Sequence, residues 1–119
     1  MSNVVISKSK AFAIRIIKLY QYLDKVKKEF VLSKQLLRSG AGIGANVCEA
    51  IYAQSKKDFI SKMNIVLKEA AESKYWLELL FETNYLKEKE FKSIIADCDE
   101  LNKLLASIVK TSKQRLIKN

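Results

Sequence analysis

The chain has 119 residues, 49% hydrophobic and 29% charged, which suits one folded core and is too short for two ordinary ones. It has no proline and no histidine, and its three glycines all fall between Gly40 and Gly44, so all-β folds, long loops, histidine metal sites and most hydrolase arrangements are disfavoured. The net charge is +9, with 19 lysines and three arginines against 13 acids.

The spacing of apolar residues predicts a first helix over about residues 7–28. Phe12, Ile16, Leu19, Leu23 and Val26 lie on one helical face, and Ile17 and Tyr20 widen it. The polar cluster Lys25, Lys27, Lys28 and Glu29 ends this helix or exposes its last turn. A second helix is expected over 34–54, with Ser33 as N-cap and Leu36, Gly40, Ile43, Val47 and Ile51 inward. The third, over 56–83, opens with Ser55 three positions before Asp58, a variant of the capping box. Asp58 also suits the positive end of a helix. Phe59, Met63, Val66, Ala70, Leu77 and Leu80 trace its inner face, and Asn84 is its stop. The fourth, over 87–113, carries Phe91, Ile94, Cys98, Leu101, Leu105 and Ile108, with Ile95, Leu104 and Val109 alongside. Its stripe fades from Lys110, where fraying is expected. Short connections force sequential neighbours antiparallel. The expected fold is all-α, an up-down-up-down antiparallel four-helix bundle forming a single domain over 1–119.

Three glycines within one helix cost about 3 kcal/mol relative to alanine. A phosphate loop does not fit GAGIG, because no strand precedes it and no GK[ST] follows. A flexible break remains one reading. The favoured one is a small-residue face, with Gly40 and Gly44 one turn apart, that lets another helix approach closely.

Two polar stripes accompany the core stripes. Gln35, Arg38, Gly42, Asn46 and Glu49 share a face of the second helix, and Lys62, Glu69, Glu72 and Trp76 follow along the third. They fit an interface or structural network, a solvated face, a ligand site or, last, a catalytic site. Arg38 with Glu72, and Glu49 with Lys62, are natural ion pairs. Tyr75 and Trp76 point about 100° apart, so one ring packs inward while the other faces out as an interface anchor or stacking platform. Without a histidine, the Glu-x-x-His pattern of di-metal bundles is missing, and neither a metal nor a cofactor is expected.

Cys48 and Cys98 stand fifty positions apart without a CxxC, so they read as small apolar core residues. No signal-like or membrane-spanning run is present, which points to a cytoplasmic protein with no membrane partner. Residues 1–38 hold nine basic and two acidic groups, and residues 101–119 hold five basic and none acidic. If the chain ends lie side by side, they make a basic surface suited to phosphate backbones. A merely solubilising lysine surface is the rival reading. The candidate nucleic-acid contacts are Lys8, Lys10, Arg15, Lys18, Lys110, Lys113 and Arg115.

The stretch from Ser33 to Leu86 resembles the four-helix-bundle proteins encoded in intervening sequences of bacterial 23S ribosomal RNA genes. The likeness is carried by Gln35, Arg38-Ser39-Gly40, Ile43-Gly44-Ala45-Asn46, Glu49-Ala50, Ser55, Asp58-Phe59, Lys62, Lys68-Glu69-Ala70, Glu72 and Tyr75-Trp76-Leu77. Gly42 departs from the pattern, which more often has serine there. The resemblance implies a left-handed bundle and a ring-shaped homo-oligomer, a pentamer. Related bundles serve diversity-generating retroelements as accessory proteins that bind a reverse transcriptase and nucleic acid.

The expected function is therefore a non-enzymatic, oligomeric basic scaffold binding structured RNA or DNA. The alternative is a protein-interaction module that recruits a partner through Gln35, Arg38, Asn46, Glu49, Lys62, Glu69, Glu72, Tyr75 and Trp76.

Overall fold

The computed structural model describes residues 3–118. They form four α-helices and no strand: α1 (Asn3–Lys25), α2 (Leu32–Ile51), α3 (Lys56–Glu82) and α4 (Glu88–Lys118). The helices pack in sequence, α1 on α2, α2 on α3, α3 on α4, and α4 closes back on α1 along the thinnest seam. Cross-contacts fix every neighbouring pair as antiparallel. Gly40 faces Ile16 while Gly44 faces Ser9. Arg38 meets Glu72, Asn102 meets Ala70, and Arg15 meets Asp97. The result is a rod of 52 × 21 × 21 Å.

The core follows the helical stripes. Phe12, Ile16, Leu23, Leu36, Ile43, Val47, Met63, Val66, Ala70, Leu77, Leu80, Ile94, Cys98, Leu101 and Leu105 are all buried. The stripes differ from expectation mainly at helix ends. Val5 and Ser9 extend the buried face of α1 toward the N-terminus. Val26 is exposed, because α1 stops at Lys25 rather than running to 28. At the end of α2, Ala50 is buried and Ile51 is exposed. In α4, Val109 takes the inward position, and the helix runs to Lys118 instead of fading at 113.

The ends of the helices explain their limits. Past α1, Lys28 adopts a left-handed backbone with φ of 55°, and the Glu29 N–H reaches back to the Leu23 carbonyl at 2.9 Å. Glu29 then turns inward. Its carboxylate accepts from the N–H groups of Val31, Leu32 and Ser33 at 3.0, 2.8 and 2.7 Å. Glu29, not Ser33, therefore caps α2. Ser33 lies inside the helix, and its hydroxyl donates to the Glu29 carbonyl at 2.9 Å. A carboxylate at this end also meets the positive pole of the helix dipole.

The start of α3 matches its sequence signature. Ser55 Oγ accepts from the Asp58 N–H at 3.1 Å, and Asp58 reaches back to the N–H of Gln54 at 3.0 Å. Its end is a Schellman motif on Asn84, whose φ is 69°. Tyr85 N–H donates to Leu80 O at 2.9 Å and Asn84 N–H to Phe81 O at 3.0 Å.

Small side chains set the helix spacing. At Gly40 a Cβ would meet the Ile16 side chain at 2.9 Å. At Gly44 the nearest atom would be the Ser9 carbonyl oxygen at 3.6 Å. The glycines are helical and not a break, and the helix they admit is α1. On the other side of α2, Ser73 Oγ donates to Ser39 Oγ at 3.0 Å, and both serines are fully buried. A buried hydroxyl pair of this kind ties α2 to α3 in one register.

Candidate functional site

The polar stripes of α2 and α3 meet along their shared seam. The antiparallel register places Arg38 opposite Glu72, and the guanidinium donates to that carboxylate at 2.8 Å. Gln35, one turn earlier, accepts from the same Arg38 nitrogen at 3.3 Å. Two turns further along α2, Asn46 donates its amide to Glu69 Oε1, one turn before Glu72 on α3. The other oxygen of Glu69 lies over Gly42, in the space a Cβ would fill. Gly42 thus serves α3, whereas Gly40 and Gly44 serve α1.

Burial pushes the Glu69 carboxyl above its ordinary value. The Asn46 hydrogen bond opposes that rise, and the nearby Glu72 and Glu49 charges add to it. Glu49 joins this seam through its charge. Lys62 does not pair with it: Lys62 Nζ sits 2.8 Å from Asp58 on the preceding turn of α3. The i,i+4 geometry delivers that partner without tertiary help. The Lys62 ammonium, and after it the Gln54 N–H, hold the Asp58 carboxyl below its ordinary range.

Tyr75 faces solvent, while Trp76 is partly buried against the core. The two rings meet edge to face at 5.1 Å between centroids. The Trp76 indole N–H is buried without a partner among the described residues. The seam thus gathers Gln35, Arg38, Asn46, Glu69 and Glu72, sets Glu49 beside them, and leaves Lys62 in a separate pair. One cation, Arg38, thus lies among three carboxylates, those of Glu49, Glu69 and Glu72. Among the described residues, no group of three or more cysteines or acids is placed to hold a metal ion.

The basic residues divide into two sets. Lys8 pairs with Glu100, and Arg15 with Asp97 at 2.6 Å and Ser93 at 2.7 Å. These contacts stitch the thin α1–α4 seam. Asp97 and Glu100 were absent from the sequence-based site. Their spacing along one face of α4, opposite two cations on an antiparallel helix, is the signal that could have found them. Lys10, Lys18, Lys110, Lys113 and Arg115 are exposed and form no ion pair among the described residues. Beside Lys18, a groove of about 250 Å³ opens between α1 and α4, floored by Leu86 and Ile94. Beside Lys10, another of about 320 Å³ opens between α1 and α2 over Gly44.

Comparison with known proteins places this architecture. The family model for the 23S rRNA-intervening sequence protein matches residues 1–107. A crystal structure at 1.70 Å resolution, of a protein of unknown function from the S23 ribosomal protein family of Bacteroides thetaiotaomicron VPI-5482, superposes with a TM-score of 0.89. It is 57% identical over 91% of this chain and 96% of that one. No curated protein matches the chain.

Proposed function

The chain belongs to the 23S rRNA-intervening sequence protein family, and from that membership we propose that it is a non-catalytic, oligomeric basic scaffold that binds structured RNA or DNA. The observation that carries the reading is the set of exposed cations at Lys10, Lys18, Lys110, Lys113 and Arg115, none of them in an ion pair among the described residues. From Leu101 to the end of the chain there is no acid to neutralise them. Such cations contact phosphates, and they confer salt-dependent affinity with little sequence preference. A ring of copies repeats the surface and raises avidity without new contacts. Lys8 and Arg15 support the surface indirectly, by holding α1 against α4.

The test is fluorescence anisotropy with a structured RNA and a DNA duplex over a salt series, with light scattering for the assembly mass. Affinity should fall steeply with salt. Replacing Lys10, Lys18, Lys110 and Lys113 with glutamate should weaken binding by at least about tenfold and flatten the slope. Binding that survives these replacements refutes the assignment.

The polar seam supports a second reading, in which α2 and α3 recruit a protein partner through Arg38, Glu69 and Glu72. The half-buried Glu69 favours it, because a charge held partly out of water on an exposed seam is a ready point of recognition. A stoichiometric protein partner, lost on Arg38→Ala and free of nucleic acid, would move this reading to first place.

A further inference from the structure

The turn joining α1 to α2 is an apolar tip set among lysines. Val26, Phe30 and Val31 are 63%, 48% and 71% exposed. Lys25, Lys27, Lys28 and Lys34 flank them, and none forms an ion pair among the described residues. Glu29 is the one acid between residues 25 and 34, and it is buried and occupied by the backbone N–H groups of Val31, Leu32 and Ser33 at the start of α2. The stretch therefore presents four positive charges and no outward negative one. The α3–α4 turn at the same end is near balance, with Lys87 and Lys89 against Glu88 and Glu90.

The exposure of these side chains is built into the turn. The left-handed Lys28 and the inward Glu29 cap fix its path. Leu32 packs on the core while Phe30 and Val31, just before it, project from the end of the rod.

We propose that this tip docks on the surface of an anionic lipid bilayer. Bilayers offer the two things the tip lacks: acidic headgroups for the lysines and an apolar layer for Val26, Phe30 and Val31. Nucleic acid matches the charge but offers the two valines no stacking, since they have no aromatic face. A projecting tip also suits a yielding surface better than a preformed protein pocket. The contact is peripheral, because no helix among the described residues is long and apolar enough to cross a membrane. This inference is independent of the nucleic-acid reading, which uses other residues.

The experiment is flotation of the full chain with vesicles of equimolar phosphatidylcholine and phosphatidylglycerol, beside vesicles of phosphatidylcholine alone. The chain should float with the anionic vesicles only, and high salt should release it. Val26→Ser, Phe30→Ser and Val31→Ser together should cut partitioning by about tenfold or more. Lys25→Gln, Lys27→Gln and Lys34→Gln should weaken it and reduce its salt dependence. Lys28 is left in place because its backbone shapes the turn. Ile51→Ser with Tyr52→Ser, at the opposite end of the rod, should change nothing. Phe30→Trp supplies a readout that does not depend on removing side chains. Its added emission, relative to the parent chain with Trp76, should shift to the blue on anionic vesicles. The proposal is overturned by absence of flotation, by flotation that both tip variants leave intact, or by an unmoved Phe30→Trp signal on vesicle-bound protein. Capture of RNA at the tip without vesicle binding overturns it as well.

Discussion

A Cβ on Gly40 would come within 2.9 Å of Ile16, so the backbone of α2 rests directly on that side chain. Gly44, one turn later, leaves ordinary van der Waals room above Ser9. The two glycines therefore answer differently to alanine. Gly40→Ala should destabilise by about 1–3 kcal/mol, because Ile16 must leave its packed position. Gly44→Ala should stabilise by about 0.5–1 kcal/mol, because it removes helix-interior glycine entropy without a clash. Urea denaturation of both variants decides the matter. Stabilisation by Gly40→Ala would show that this glycine does not set the helix spacing.

Glu29 should be a pH-dependent cap. Burial alone would raise its carboxyl, but the N–H bonds from Leu32, Ser33 and Val31 outweigh burial and hold it below its ordinary value. As pH falls, the unfolded chain therefore takes up the proton first. The stabilisation is complete above the ordinary carboxylate value and is lost as pH drops through the folded one. Glu29→Ala should cost roughly 1–2 kcal/mol at neutral pH. The gap between the two proteins should narrow below about pH 4.5. Denaturation midpoints across pH give the comparison, and a gap that stays constant into strong acid argues against the cap.

Glu69 should behave in the opposite sense. Its carboxyl is raised, chiefly by burial, so the folded state favours the proton and stability improves as pH falls through the raised value. Gly42→Ser places a Cβ where the second oxygen of Glu69 now lies and sets a hydroxyl beside it. The carboxylate can swing aside, since it ends a flexible chain, and accept from the serine. The Glu69 titration followed by NMR should then move down toward its ordinary value. An unmoved titration would show that no such bond forms.

The two thiols should differ by accessibility. Cys48 is exposed and not in the core as expected, whereas Cys98 is buried and its thiol is pushed up to about 12, first by burial. A thiol reagent should modify one cysteine per native chain and two in denaturant. Slow modification of the second should track global unfolding. Rapid modification of both in the native protein would mean that α4 opens locally at Cys98.

Much of the fold is written in the chain itself. Helical periodicity places all four helices and most of the core, because the inner residues of each helix recur at short spacing and need no knowledge of the partner. The Ser55–Asp58 box and the Asn84 stop are equally local, and both appear as read. The Arg38–Glu72 pair is legible too, once antiparallel neighbours are assumed.

What escapes the sequence is what depends on contacts between helices or on where the chain turns. Lys62 has two plausible acids in the sequence, and local helix geometry gives it to Asp58. Glu29 reads as one charge in a solvated cluster, yet the turn at Lys28 sends it under α2. That same turn leaves Val26 outside, although its spacing continues the apolar stripe. The three glycines look like one feature, but packing assigns two of them to α1 and one to Glu69 of α3. Composition and period set the helices, since those depend on near neighbours along the chain. Caps, partners and exposed tips were decided only when four helices fixed one another's register, because each depends on atoms that meet through space.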